Sequence, residues 1–404
     1  MKIHCGIFLA NLEPYPLKGK NKSIREAFTM RHSTFGIVLG FLLVFAVSVA
    51  AETPTDWIRA IQWNGFVSTS YTHNENNPQS RRNQFRTFDF DHNSFKLDVI
   101  QLVGQKPVEQ PRDAGFRVDL TYGHSIPPVM AAAGNETQNG TDTQYFHIQQ
   151  GYLSYIAPIG SGLRIDFGRF AAPIGYEATP GYEGWNDHFS NSFLSSTAPG
   201  TLFGFQLSYE LSEHIGASVF AVNGYDIFED NNTNKTVGAQ LRVTPLEKTE
   251  LVYAMAHGPE RAGNNRDKRT LHDVYATIEP MEDLTVAAHY SYRTEERFGI
   301  GPKLKTRGVA GYLRYDITDR WYIAVRGEQV KDFEAGLYGA VVPAGTDLKL
   351  SSITVTPGFK LTEHLMLRAE ARFDKANVPA FERRNLAANV NRQQTWAFNA
   401  IYSF

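Results

Sequence analysis

The 404-residue chain reads as an all-β protein: a transmembrane antiparallel up-and-down β-barrel of about sixteen strands. Three features predict this. The last nine residues, Trp396 to Phe404, carry an apolar or aromatic side chain at 396, 398, 400, 402 and 404, the period-two pattern of a strand with one greasy face. Short turns alternate with long polar loops along the chain. Each strand candidate gathers its charges on a single face.

In chain order, the first element is an export segment. Residues 1–29 hold Lys18, Lys20, Lys22 and Arg25 without periodicity and read as a disordered upstream extension. Residues 30–51 read as a cleavable signal peptide. Arg31 and His32 precede the uncharged run Phe35 to Val49, and Ser48-Val49-Ala50 or Val49-Ala50-Ala51 supplies the small residues of a cleavage site. The run is shorter than the roughly 20 apolar residues a spanning helix needs, which argues against a membrane anchor.

The single cysteine, Cys5, lies in the extension, so residues 52–404 would have neither disulfide nor cysteine chemistry. That suits passage through an oxidising periplasm. Cleavage after Ala51 leaves 34 of the 40 basic and 40 of the 42 acidic side chains, a net charge of −6. Nucleic acid is therefore not an expected partner, since it would require a basic stripe. A helical membrane protein is excluded because no long apolar run follows the signal.

From Trp57 onward sixteen strand candidates are joined by two kinds of connection. The short ones are 105–114, 157–162, 212–214, 245–248, 280–283, 318–320 and 362–364. The long ones are 72–93, 124–144, 171–202, 224–235, 257–269, 293–306, 331–347 and 375–391. Turns such as Ser212-Glu213-His214 and Thr362-Glu363-His364 use side chains that hydrogen-bond their own backbone. Seven short turns and eight long loops give an even strand number, with short turns periplasmic and long loops extracellular.

Parity then sorts the faces. Phe116, Val118, Leu120 and Tyr122 oppose Arg117, Asp119 and Thr121; Leu163, Ile165 and Phe167 oppose Arg164 and Asp166; Leu365, Leu367, Ala369, Ala371 and Phe373 oppose Arg368, Glu370, Arg372 and Asp374. Strand 348–359 changes register between Leu350 and Ile353, which predicts a bulge.

Alternation alone also fits a soluble sandwich. The ending weighs against that, because a free aromatic edge templates aggregation whereas a closed wall in lipid has no edge. The terminal Phe404 with Tyr402 two places before it also resembles the assembly signal of bacterial outer-membrane barrels. The stretch YLSYIAPIGSGLRIDFGRFAAPIGYE at Tyr152 to Glu177, with GFVSTSY at Gly65 to Tyr71, GFRVDLTYG at Gly115 to Gly123 and FGFQLSYEL at Phe203 to Leu211, resembles the OmpL-like putative beta-barrel porins. The resemblance is strongest over residues 60–225. It implies a Gram-negative outer-membrane porin and names no solute and no catalytic residue.

A sixteen-stranded barrel is wide enough for water unless plugged. Inward positions Arg117, Asp119, Arg164, Asp166, Glu210, Arg242, Arg293, Arg314, Arg326, Glu328, Arg368, Glu370, Arg372 and Asp374 are expected to line the bore and set its selectivity. The longest loop, 171–202, is expected to fold in and narrow it, with Glu177, Glu183 and Asp187 facing an arginine wall across a transverse field. The competing role for those arginines is to pair with Asp166, Glu370 and Asp374 and neutralise a buried interior.

Expected partners are outer-membrane lipids and lipopolysaccharide, small hydrophilic solutes, and the barrel-assembly machinery through the last strand. No cofactor or metal is expected, and monomer and homotrimer both remain open. Enzyme chemistry lacks an evident nucleophile beside His257, His272 or His289, and His73, His92, His124 and His147 lack close metal-ligand spacing. The Asn-x-Thr triplets at Asn135, Asn139, Asn231 and Asn234 read as polar filler. The alternative function is a non-conducting structural or surface-binding barrel with its lumen plugged by loops.

Overall fold

The computed structural model describes residues 58–126, 146–177, 186–339, 342–343, 345–384 and 389–404. The extension, the signal segment, Trp57, most of loop 124–144 with Asn135 and Asn139, Glu183 and Trp185 lie outside them.

Sixteen strands follow one another: β1 (Gln62–Asn74), β2 (Ser94–Lys106), β3 (Ala114–Tyr122), β4 (Phe146–Ala157), β5 (Leu163–Ala171), β6 (Thr201–Ser212), β7 (Ile215–Tyr225), β8 (Thr236–Leu246), β9 (Thr249–Arg261), β10 (Asn264–Met281), β11 (Leu284–Glu295), β12 (Leu304–Asp316), β13 (Trp321–Phe333), β14 (Leu348–Lys360), β15 (Leu365–Ala376) and β16 (Arg392–Ser403). Each pairs antiparallel with its chain neighbours, and β1 pairs with β16 to close the barrel. Closure satisfies the backbone of every strand within the wall, the condition for crossing hydrocarbon with strands.

The seam is tight at its base. Gly65 and Phe404 exchange both backbone hydrogen bonds at 3.0 Å. The Phe404 ring lies so close over Gly65 that a Cβ there would stand 2.7 Å from the ring and 2.3 Å from the Gln101 carbonyl. Only glycine fits this crossing of β1, β2 and β16. Tyr402 and Phe404 are exposed on the outer face, where Phe167 stacks on Phe205 at 4.2 Å and Trp321 on Phe359 at 4.3 Å.

Two sequence expectations are corrected. Residues 257–269 are not a long loop: β9 runs to Arg261, β10 starts at Asn264, and Gly263 takes the left-handed turn position at φ 65°. The charges that suggested a loop pair with one another, Arg261 with Asp267 and Arg269 with Glu295 at 2.7 Å, which keeps the long hairpin ordered. Nor does β14 contain a bulge, since its pairing with β13 is unbroken from Leu348 to Phe359. Leu348 and Leu350 face inward and are fully buried beside Phe193, Leu194 and Val330, so the inner face itself is apolar at this level. Bulges occur instead at Ser68/Thr69 and Asp119/Leu120.

Candidate functional site

The connection between β5 and β6, residues 172–200, enters the barrel and follows its inner wall. At its start Ile174 packs among Phe170, Phe220, Val222 and Leu271, apolar residues facing inward from β5, β7 and β10. Tyr176 then meets the rings of Tyr275 and Tyr312 at 5.5 and 4.5 Å. On the far stretch a 3₁₀ turn, Leu194–Thr197, buries Leu194 against β12 and β13, and Thr197 bonds Ser291 of β11 at 2.8 Å.

A loop inside a barrel must find partners for its own N–H and C=O groups, because a buried orphan costs about 1–3 kcal/mol. Strand side chains supply them. Glu370 accepts from the N–H of Phe189 at 2.7 Å and of Ser190 at 3.2 Å, and Glu328 accepts from Phe193 N–H at 2.7 Å. Arg326 donates to the Ser190 carbonyl at 2.7 Å, Arg368 to the carbonyls of Asn186 and His188 at 2.6 and 3.0 Å, and Arg372 to that of Asn191 at 2.5 Å. Wall acids take the loop's donors and wall arginines take its acceptors.

The loop's own acids join the same lattice. Glu177 receives Arg326 at 2.7 Å on one oxygen and the Ser192 N–H at 2.7 Å on the other. Asp187 receives Arg314 at 2.6 Å. The expectation of Glu177 and Asp187 facing arginines across an open gap is therefore corrected, since each is in direct contact with its arginine. Arg326 and Arg372 are 0% exposed and Glu328, Arg368 and Glu370 nearly so, enclosed between wall and loop rather than facing water. Alternation shows which way a strand residue points but not what covers it.

Other inward charges keep more contact with solvent. Arg164 on β5, with a side chain 40% exposed, bonds Asp166 at 2.9 Å; Arg242 on β8, 34% exposed, bonds Glu210 of β6 at 2.8 Å. Arg117 bonds Asp119 at 2.7 Å, and Arg293 approaches Glu295 at 3.2 Å. Arg372 also bonds Asp374 at 2.9 Å, so some of the pairing expected within strands is present alongside loop binding. The described part of the loop contacts β5 and β7 through Ile174, β8 through Gln240, which donates to the Pro173 carbonyl at 3.0 Å, and β9 to β15, whereas Arg164–Asp166 and Arg242–Glu210 bond within the wall.

Electrostatics distinguish two loop groups. Burial holds His188 well below the ordinary histidine value, and the guanidinium groups of Arg326, Arg368 and Arg372 lower it further; its Nδ1 bonds Thr356 at 2.7 Å. Burial, then Asp187 and Glu177, pushes Tyr176 up to about 12.

Several residues of the site were not singled out in the sequence. Phe85, in the β1–β2 loop, sits edge-on to Phe193, Tyr338 and Phe381, joining four loops. Arg86 bonds both Asp89 and Asp374, the latter at 2.5 Å. The dense aromatics of Phe85, Phe88 and Phe90 in a supposedly polar loop were the available signal. His289 pairs with Asp273 at 2.9 Å, while His272 bonds Tyr253. Among the described residues no group of three or more His, Cys, Asp or Glu side chains is placed to hold a metal ion.

The family described as Putative beta-barrel porin-2, OmpL-like matches residues 60–404. No curated protein sequence matches the chain. Similar solved structures include the anion-selective porin from Comamonas acidovorans (10% identity, 85% of this chain and 99% of that one, TM-score 0.58). The outer membrane channel DcaP of Acinetobacter baumannii is also similar (12% identity, 85% and 97% covered, TM-score 0.57). So is the trimer form of Vibrio cholerae OmpT (9% identity, 85% and 99% covered, TM-score 0.55). At these identities the likeness is one of fold.

Proposed function

We propose, from the premise that the chain belongs to the Putative beta-barrel porin-2, OmpL-like family, that it lets small hydrophilic solutes or ions diffuse passively across the outer membrane through a water-filled bore. The observation that carries this reading is that inward arginines of β5 and β8 keep solvent contact beside the β5–β6 loop. The loop touches β5, β7 and β8 at its start and runs on to β15, while Arg164–Asp166 and Arg242–Glu210 bond within the wall, with the two arginine side chains 40% and 34% exposed. A solute path between loop and these pairs would be lined by alternating charge of both signs, which screens by size and polarity more than by net charge.

In this reading the short turns face the periplasm, the long loops face outward, and the outer membrane is the site of action. Tyr402 and Phe404 present the aromatic face of β16 to the barrel-assembly machinery. Trimerisation is the assembly to test, because the OmpT neighbour has a trimer form. The reading needs no cofactor, energy source or catalytic group.

Recording purified protein in planar bilayers tests the proposal. Discrete open steps are expected, and their persistent absence would favour the second reading, a non-conducting barrel. One observation favours that alternative: Phe85, Phe193, Tyr338 and Phe381 tie four loops together.

A further inference from the structure

We infer that the outer face of β12, β13 and β14 at the long-loop end binds the phosphorylated headgroup of lipopolysaccharide, with an acyl chain lying in the glycine trough beneath. In the sheet register Arg307 stands directly opposite Lys331, and Lys331 directly opposite Lys349. Like charges in opposed positions repel and destabilise a sheet pair. Yet three cations form one row across three strands, with Lys305 exposed one pleat above Arg307. Lys375 and Arg392, again directly paired, extend the basic surface onto β15 and β16.

The arrangement is held in place. The Phe333 ring centroid lies 4.2 Å from the Lys331 ammonium and 5.6 Å from the Arg307 guanidinium, so both cations contact one aromatic ring. Asp347, exposed, reaches Lys331 at 3.4 Å and leaves the row strongly positive. On β3, β4 and β8 the outward positions Tyr122, Phe146 and Val237 beside the long loops are exposed and uncharged, while on β10 Arg266 is exposed and lies over the Phe298 ring. The directly opposed row Arg307, Lys331 and Lys349 is a feature of β12 to β14.

Its height matches a headgroup. Ten residues separate Trp321 from Lys331 on β13 and Phe359 from Lys349 on β14. At roughly 3.3 Å per residue and a tilt of about 40° this is about 25 Å, the height of the apolar band of such barrels. With the stacked Trp321 and Phe359 at the lower boundary, the cations lie at the upper one.

Below the row, Gly311 and Gly327 are directly paired, face outward, and have nothing within 4 Å of where a Cβ would stand. Tyr290 and Ile353 are exposed on the strands to either side. The result is a shallow apolar trough leading down from the cations. Phosphate above and hydrocarbon below is the chemistry of a phosphorylated glycolipid. A second copy of the chain seated here would have to take the cation row out of water, at a desolvation cost for each charge it left unpaired.

Native mass spectrometry of the purified full chain with lipid A, with its dephosphorylated form and with inorganic phosphate tests this inference. Wild type is expected to prefer lipid A over the dephosphorylated lipid by about tenfold to a hundredfold, the yield of a few exposed charge contacts. R307Q/K331Q/K349Q should abolish that preference and R307K/K331R/K349R should keep it, each checked for heat-modifiable gel mobility as a sign of a folded barrel. Gly311→Leu with Gly327→Leu should weaken lipid A binding by filling the trough. Equal binding of the two lipids by wild type, retention of the preference in the glutamine variant, saturation by inorganic phosphate alone, or a cross-link placing Gly327 against a second copy would each overturn the inference.

Discussion

Arg326 Nη1 lies 2.7 Å from Glu177 Oε1, with side chains 0% and 2% exposed. The pair joins β13 to a loop 149 residues earlier in the chain. Removing one member of a buried ion pair leaves the other charge without compensation, at a cost of about 3–5 kcal/mol. Glu177→Gln is expected to loosen the loop from the wall while the barrel stays closed. Bilayer recordings should show larger and noisier open steps with unchanged heat-modifiable mobility. The double variant E177L/R326L should be milder than either single change, and a simple sum of the two would argue against direct coupling.

Selectivity is expected to depend on the exposed arginines rather than the enclosed ones. Arg164→Glu together with Arg242→Glu replaces two accessible cations by anions, so the reversal potential in a KCl gradient should move toward cation preference. Arg368→Glu with Arg372→Glu acts where the loop binds, at the carbonyls of Asn186, His188 and Asn191. That pair should change the size of the open step by freeing the loop. A shift of reversal potential in the second variant without a change in step size would return Arg368 and Arg372 to the water-lined wall.

The contrast shows what strand parity could and could not reveal. The inward direction of Arg372 follows from Ala371 and Phe373 on its flanks, because adjacent strand residues face opposite sides. Its enclosure follows from Ser190 and Asn191, residues about 180 positions away with no periodic relation to it. Leu350 misled for the same reason: an apolar inward side chain looks like a register fault until Phe193 and Leu194 are known to cover it. At the β9–β10 hairpin, Arg261 and Asp267 suggest a solvated loop if taken singly and an ordered ladder end once paired. Local patterning carries the wall, while non-local hydrogen bonding decides what fills it.

The base of the seam should be sensitive to volume. Gly65→Val places a branched side chain against the Phe404 ring and the Gln101 carbonyl. Overpacking of this kind costs about 1–3 kcal/mol, and more where backbone must move. Urea unfolding in detergent should show a lower midpoint for the variant. Gly311→Ala, in open space on the outer face, should leave the midpoint where it is. Equal effects of the two changes would mean that the closeness of Gly65 and Phe404 does not limit stability.

Acidity should release the loop through His188. Its imidazole is enclosed with Arg326, Arg368 and Arg372, all lowering its pKa, while Glu370 nearby is engaged by the backbone of Phe189 and Ser190. The docked state holds His188 neutral, and the free loop would protonate it near the ordinary value of 6.5. Docking is therefore at full strength above that value. It weakens as pH falls below 6.5, by up to about 1.4 kcal/mol per pH unit, until the docked histidine itself takes a proton. Recordings from pH 7.5 down to 4.5 should show increasing step size or noise in wild type and a flatter profile in His188→Gln, whose amide can still bond Thr356. An identical pH profile in both proteins would assign any acid response to the wall carboxylates instead, and a flat wild-type profile would show that the loop stays docked with His188 charged.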